Sequence, residues 1–311
     1  MTIGRTFRAW AILHTSFFLP LNQRHPMTHL ICRRANRAFR AAAIGMVVLS
    51  SASAQTPPVS PTVPAVVTLT RLDCGTNAPP TNVGLRFSDT YAFMGQMVQL
   101  TYSCYLVRHN DDYFIWDTGF AAGNTPTAPK QSLVQLLAQL KLTPEQVKFV
   151  AISHYHGDHV GQVNLFPKAT LLIGKGDWDV INDPKMMAAT NPAAFTPWTS
   201  GGSKVEPLAA DKDVFGDGSV VVLNMPGHTP GHHSLLVRLK EMGNVLITGD
   251  LAHFRENYES NGVPTFNTDR AASLASIDRF KQIARNLKAT VIIQHDQRDV
   301  AKLPAFPAAA R

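Results

Sequence analysis

Acidic residues are missing from the first 54 positions of this chain, and that gap decides how its charge is read. Seven of the 29 lysines and arginines lie there, so the remainder balances at 22 basic against 22 acidic residues. The formal charge of +7 therefore belongs to the N-terminal stretch and not to the body of the protein. A neutral body gives no electrostatic support for nucleic acid or an anionic membrane as a partner. Long apolar runs are missing as well: Ala41 to Leu49 falls far short of the ~20 residues a membrane-spanning helix needs. Cysteine is scarce, three in 311 residues, and none stands in a Cys/His metal-binding spacing. No internal repeat is present.

What does stand at the N-terminus is a leader pattern. Arg33, Arg34, Arg37 and Arg40 precede the apolar run, and Ser51-Ala52-Ser53-Ala54 supplies a small-x-small cleavage site before Gln55. Residues 27–54 are expected to be a signal peptide starting at Met27. Residues 1–26 form no recognisable element and read as an over-long N-terminal gene call. Arg33-Arg34 raises a twin-arginine signal, but Ala35-Asn36-Arg37 lacks its usual apolar continuation. No cysteine follows the apolar run, as a lipid anchor would require. The expectation is an exported protein, periplasmic or secreted, without a stable membrane anchor. Cys32 leaves with the leader, and Cys74 and Cys104 remain as an even pair suited to an oxidising compartment. They are either a disulfide, contributing about 3–4 kcal/mol by closing about 30 residues, or two buried thiols.

The 257 residues after the leader suit one large α/β domain. Pro57, Pro58, Pro61 and Pro64 predict an extended segment over 55–66, the domain is expected over 67–303, and 304–311 read as a short tail. Strands are expected at Val67 to Asp73, Leu100 to Val107, Tyr113 to Gly119, Val147 to Ile152, Ala169 to Ile173, Ser219 to Leu223, Asn244 to Thr248 and Ala289 to Ile293. Helical spacing marks Ser132 to Leu142, with Leu133, Leu136, Leu137 and Leu140 on one face. It also marks Asp269 to Leu287, with Leu274, Ile277, Phe280, Ile283 and Leu287 inward.

The densest chemistry is His154-Tyr155-His156-Gly157-Asp158-His159, on the loop leaving a buried strand. Imidazole and carboxylate suit zinc and its neighbours. His228 in Pro226-Gly227-His228, Asp250 in Gly249-Asp250 and His295 in His295-Asp296 bring the set to seven, each near a strand end. On a tight loop His154 and His156 can converge on one metal while Asp158 and His159 turn to a second. His228 then completes the first site, His295 the second, and Asp250 bridges. Two divalent ions sharing a water would lower its pKa toward ~7, and Asp158 is the candidate proton handler. A lone histidine on an apolar face is usually a packed core residue, but four clustered donors with three later partners are not that case. His232 and His233, at the start of the next strand, read as supporting residues. Asp117, in Trp116-Asp117-Thr118-Gly119, reads as orienting ligands by hydrogen bonds. Met94, Met97, Trp178, Met186, Met187, Phe195 and Trp198 fit either an apolar pocket lining or plain core.

The combination of His154-x-His156-x-Asp158-His159, Pro226-Gly227-His228-Thr229-Pro230-Gly231-His232, Gly249-Asp250 and His295 resembles the metallo-β-lactamase superfamily over residues 67–297. Within it the chain is most similar to the N-acyl-homoserine lactonases, through Asp73-Cys74-Gly75, Cys104 to His109, Trp116 to Gly119, Ser276-Ile277-x-Arg279 and His295-Asp296. The resemblance implies an α/β fold, an αββα sandwich of two mixed sheets flanked by helices, with the metals at one sheet edge. It implies a metal-dependent hydrolase that opens the lactone ring of N-acyl-homoserine lactones or related lactones. Its cofactors would be two divalent ions, zinc by default, with iron, cobalt or manganese able to occupy the same set. His154, His156 and His228 would hold one, Asp158, His159 and His295 the other, and Asp250 both.

One position departs from the pattern. Such lactonases commonly carry a tyrosine three residues after the bridging Asp, hydrogen-bonding the lactone carbonyl. Here the residue is His253, which would donate the same bond, or mark another substrate. The stretch from Gly174 to Val214 is where pocket shape is expected to diverge. The rival readings are other hydrolases of the same fold, acting on thioesters, phosphotriesters or β-lactams, and a non-catalytic binding member. Asp250 argues against β-lactams, export against intracellular thioesters, His156 against flavodiiron chemistry, and the intact ligand set against a binding module.

Overall fold

The computed structural model describes residues 64–123, 125–186 and 190–311. The expected leader, Cys32, Pro57, Pro58, Pro61 and Met187 lie outside those residues. Strand β1 (Val67–Thr76) is followed by two short strands, β2 (Thr81–Asn82) and β3 (Met97–Val98), then β4 (Thr101–His109), β5 (Asp112–Trp116), α1 (Leu133–Gln139) and β6 (Val147–Ala151). Next come α2 (Gly157–Val160), β7 (Thr170–Gly174), α3 (Lys175–Asn182), α4 (Thr196–Thr199), β8 (Val205–Leu208) and β9 (Lys212–Asp213). The second half runs β10 (Val220–Asn224), β11 (His233–Leu239), β12 (Gly243–Ile247), α5 (Arg255–Ser260), α6 (Arg270–Asn286), β13 (Thr290–Ile292) and α7 (Gln297–Val300).

These strands form two mixed sheets, as the resemblance implied. One has the order β1-β4-β5-β6-β7-β8 and the other β13-β12-β11-β10-β9. The first is antiparallel through β5 and parallel from β5 to β8. The second is antiparallel except for its β12–β13 pair. The side-chain alternation of a strand sorts residues between layers. In β4, Tyr105 and Val107 join Val222, Leu235, Val245 and Ile247 in the core between the sheets. Cys104 and Leu106 face the other way, against Leu133 and Leu137 of α1. In the second sheet Leu223, Leu236 and Leu246 turn outward onto Ile277 and Phe280 of α6. Helix, sheet, sheet and helix are thus stacked by apolar periodicity alone. Both predicted helices begin where expected: Ser132 caps α1 through Gln135, and Asp269 caps α6 through the Ala272 amide. Among the described residues no helix is long and apolar enough to cross a membrane.

Two features close the sandwich. The segment 304–311, read from sequence as a tail, packs onto β1, with Ala310 and Leu69 exchanging backbone hydrogen bonds at 2.8 and 3.0 Å. Cys74 and Cys104 form a disulfide with a Cα–Cα distance of 5.9 Å, joining β1 to β4. The bridge stands against the loop that leaves β5, where a Cβ on Gly119 (φ +61°) would meet Cys74 Cβ at 2.3 Å. Replacing both cysteines by serine is expected to lower the unfolding free energy by about 3–4 kcal/mol, because the unfolded chain regains the entropy of a loop of about 30 residues. Equilibrium urea unfolding measures this, and an unchanged midpoint would contradict it.

Candidate metal centre

Every site residue leaves the C-terminal end of a strand, where α/β sheets gather their ligands. β5 delivers Asp117, β6 the loop from Ser153 to His159, β10 His228, β12 Asp250 and β13 His295. The parallel pairs β5–β6 and β12–β13 set these ends side by side along one edge of the sandwich. The tertiary fold brings all seven predicted ligands together, in two groups that share Asp250.

In the first group the ring nitrogens face one another. His154 Nε2 lies 2.9 Å from His156 Nδ1 and 3.1 Å from His228 Nε2, and the last two are 3.0 Å apart. Three imidazole nitrogens converging at hydrogen-bond distance cannot all find a donor among themselves. The separations approach the edge of a tetrahedron built on metal–nitrogen bonds of ~2.0–2.1 Å, about 3.3 Å. Asp250 Oδ2 completes this group, 3.3 Å from His228 Nε2 and 3.6 Å from His154 Nε2. In the second group His159 Nε2 and His295 Nε2 are 3.3 Å apart, and Asp250 Oδ1 lies 3.1 and 2.7 Å from them. Asp158 Oδ2 stands 3.5 and 3.8 Å from the same two nitrogens. The two oxygens of Asp250 therefore serve one group each. This donor set, nitrogen and oxygen with one carboxylate spanning two nests, fits a pair of divalent ions.

The far side of each ring fixes which nitrogen faces the site. His228 Nδ1–H donates to Asn267 Oδ1 at 2.9 Å and His295 Nδ1–H to the Thr101 carbonyl at 2.9 Å, leaving each Nε2 lone pair inward. His159 Nδ1–H donates to Asp117 Oδ2 at 2.8 Å. The fully buried Asp117 also accepts from the Ser153 amide at 2.6 Å, the Ser153 hydroxyl at 2.9 Å and the Gln294 amide at 2.6 Å. It holds ligand loops from both sheets and, as expected, reaches none of the converging atoms. His232 supports Asp250: its Nδ1–H donates to the Met225 carbonyl, and its Nε2 accepts the Asp250 N–H at 2.9 Å. His233 starts β11 and donates to the Gly231 carbonyl at 2.6 Å.

Burial and charge compete across the cluster. Burial pushes His154 well below the ordinary imidazole value, and burial with the neighbouring His228 lowers His156 to about 4. His159 and His295 go the other way: burial is overridden by the surrounding carboxylates, Asp250 first among them. For Asp158, burial is outweighed by His159, which holds the carboxyl at about 2 and therefore ionised at neutral pH. Since metal binding needs neutral imidazoles and ionised carboxylates, it expels the protons held here.

The remaining predicted residue, His253, is buried beside Asp250, with its Nε2 3.0 Å from Asp250 Oδ2 and its backbone N–H donating to Asn257 Oδ1. Its Nδ1 has no hydrogen-bond partner. His253 lines a cavity of about 490 Å³ whose floor is formed by His156, Asp158, Asp250 and His295. Its walls are Phe87, Leu100, Tyr102, Phe120 and Phe266, with Thr81 and Arg86 at the rim.

The metallo-beta-lactamase superfamily domain matches residues 98–295. The chain belongs to this superfamily. It is 31% identical over 183 residues to the N-acyl homoserine lactonase AttM of Rhizobium radiobacter, a match covering 53% of this chain and 64% of that protein. The chain thus aligns with less than two thirds of that relative's length. An N-acyl homoserine lactonase from a Bacillus species is 28% identical over 234 residues, covering 68% of this chain and 88% of the relative. Among solved structures, a quorum-quenching N-acyl homoserine lactone lactonase superposes with a TM-score of 0.66 over 79% of this chain and 99% of its own, at 22% identity. That likeness carries the fold.

The superfamily scaffold corrects one expectation. Among the described residues none of the stretch from Gly174 to Val214 lines the cavity, and neither do Met94 and Met97. Phe195 and Trp198 are core residues packed with Leu171 and Ile173 of β7, and Trp178 covers that cluster. Met94, Met97 and Met186 are exposed. The walls come instead from the segment between β1 and β4, from Tyr102 of β4, from Phe120 in the loop after β5, and from Phe266. No motif marked these positions, because they meet only when the two sheets stack.

The sequence also gave no signal for Asp177 of α3. Buried in the loop that carries His228, it accepts from the Gly231 N–H at 2.7 Å and the Thr229 hydroxyl at 2.9 Å. Burial pushes its carboxyl up to about 7, against those hydrogen bonds. A folded pKa above the unfolded one makes the folded state the stronger proton binder between about pH 4 and 7. The stability this group contributes is present below about pH 4 and is lost as pH rises to 7, by up to about 4 kcal/mol. Urea unfolding at pH 5 and pH 8 should show a loss in the wild type that Asp177→Asn lacks. Equal pH dependence in the two proteins would remove this account.

Proposed function

We propose that this protein is an exported, dinuclear metal-dependent hydrolase that opens the lactone ring of N-acyl-homoserine lactones or related lactones. The observation that carries the reading is Asp250, whose two oxygens face two separate donor groups on the floor of a phenyl-walled cavity. The relatedness to N-acyl homoserine lactonases supports the substrate class. The leader pattern, and a disulfide suited to an oxidising compartment, support export. Zinc is the default metal for this nitrogen and oxygen set.

When bound, the ions supply Lewis acidity to the carbonyl oxygen and acidity to the attacking water. The chain's own residues do the rest. Asp250 and the five histidines fix the separation of the two positions. Asp158, ionised and partly open to the cavity, takes the proton of the attacking water on its free oxygen. It returns that proton to the ring oxygen as the C–O bond breaks, giving a hydroxy acid. His253 steadies Asp250 through Nε2 and lines the cavity beside it. Phe87, Leu100, Phe120 and Phe266 receive the apolar acyl chain and exclude water from it.

Mass-spectrometric assay of zinc-loaded protein with short- and long-chain acyl-homoserine lactones, against a metal-stripped control, tests the proposal. The expected result is a metal-dependent gain of one water, faster than spontaneous opening. No turnover in protein holding two metals per chain would refute the lactone assignment and turn attention to thioesters, phosphotriesters and β-lactams, in that order.

A further inference from the structure

Residues 81–89 reach the cavity from a segment without any motif, yet they are held firmly. The Thr265 N–H donates to the Arg86 carbonyl at 2.8 Å, the Asp89 N–H to the Val263 carbonyl at 2.8 Å, and the Asn257 amide to the Phe87 carbonyl at 3.0 Å. This seam sets the Arg86 guanidinium over the Phe266 ring, 4.9 Å from its centroid. Phe266 in turn meets Phe87, His228 and His253 edge-on. The cation is therefore mounted on the aromatic platform that abuts the metal site.

Its charge is unmatched. Nearby arginines are paired, Arg270 with Asp89, Arg255 with Asp299, and Arg298 with Glu256 and Asp296. Among the described residues no carboxylate pairs with Arg86, and it is the single lysine or arginine on the cavity wall. The cavity thus has three zones: a metal-ligating floor, phenyl walls and a guanidinium at the lip. An alkyl lactone would satisfy the first two and leave the third without a partner. An acyl amide carries a carbonyl oxygen a few bonds from the ring, an acceptor matched to guanidinium donors.

We propose that Arg86 is a specificity-determining residue whose guanidinium binds the amide carbonyl oxygen of an N-acyl lactone, away from the bond that is broken. This deepens the lactonase reading and rests on it. The test is calorimetric binding to zinc-loaded protein of two ring-opened ligands, N-hexanoyl-L-homoserine and 2-heptyl-4-hydroxybutanoate, the same skeleton with methylenes in place of the amide. Wild-type protein should favour the amide ligand. Arg86→Gln should lower the ratio of the two affinities by about tenfold, the loss of one hydrogen bond to a charged donor, with Arg86→Lys in between. Equal losses for both ligands, or no loss for either, would overturn the proposal. Turnover of the two parent lactones by the wild type is read separately. Arg86-dependent binding without ring opening would sink the lactonase reading and keep the recognition.

Discussion

Asp250→Ala is expected to take the protein from two metal ions per chain to one or none and to cut lactone turnover by about a hundredfold to a thousandfold. The size follows from geometry. Asp250 Oδ1 faces His159 and His295, and Oδ2 faces His154, His228 and His253, all within 3.6 Å. Removing the carboxylate leaves five buried imidazoles around a void, with no charge between the two groups and only Asp158 beside the second. Asp250→Asn keeps the volume but offers one oxygen and one amide nitrogen, so a single group keeps its ligand. Its turnover should fall nearly as far, with circular dichroism unchanged. Metal analysis alongside the kinetics decides the matter: two ions and near-normal turnover in either variant would mean that Asp250 does not bridge.

Asp117→Ala should cost about 3–5 kcal/mol of stability, and at least about tenfold in affinity for the second metal, although Asp117 touches neither donor group. Four donors lose their acceptor at once: the Ser153 amide and hydroxyl, the Gln294 amide and His159 Nδ1–H. His159 Nδ1–H then has only the Ser153 hydroxyl, 3.1 Å away, as an acceptor, a weaker partner than a carboxylate, and the tautomer with its Nε2 lone pair toward the site is less firmly enforced. Asparagine does not repair this, because one of its two faces must present NH₂ to donors. Chelator competition and urea unfolding measure the two effects. Wild-type affinity for both ions would remove Asp117 from any orienting role.

The ligand set was legible because its chemistry is local. Four of the seven candidate ligands fall within His154 to His159, and the other three sit at predicted strand ends, His228 and Asp250 directly after a glycine. The strands were legible as apolar runs, but their layering was expected only from the resemblance, because β10 and β12 are apolar on both faces and do not state which residues face which side. The cavity walls were not legible. Arg86, Phe87, Tyr102, Phe120 and Phe266 have ordinary neighbours in sequence, and the methionines and tryptophans singled out elsewhere fitted pocket or core equally. For Trp198 the structure takes the core alternative: its ring packs into the outer cluster, with Nε1 donating to the Ala169 carbonyl at 3.3 Å.

By itself the sequence determined the seven candidate ligands and their division around Asp250, because donor chemistry is written residue by residue, while the αββα arrangement came from the resemblance of those motifs to the superfamily. Only the tertiary structure decided the disulfide, which needed Cys74 and Cys104 within bonding reach on adjacent strands. It alone joined Asp117 to Gln294 across 177 positions, and placed Phe87 and Arg86 beside Phe266. Such contacts depend on how two twisted sheets and their loops pack in space, and sequence spacing carries no record of a distance closed by packing.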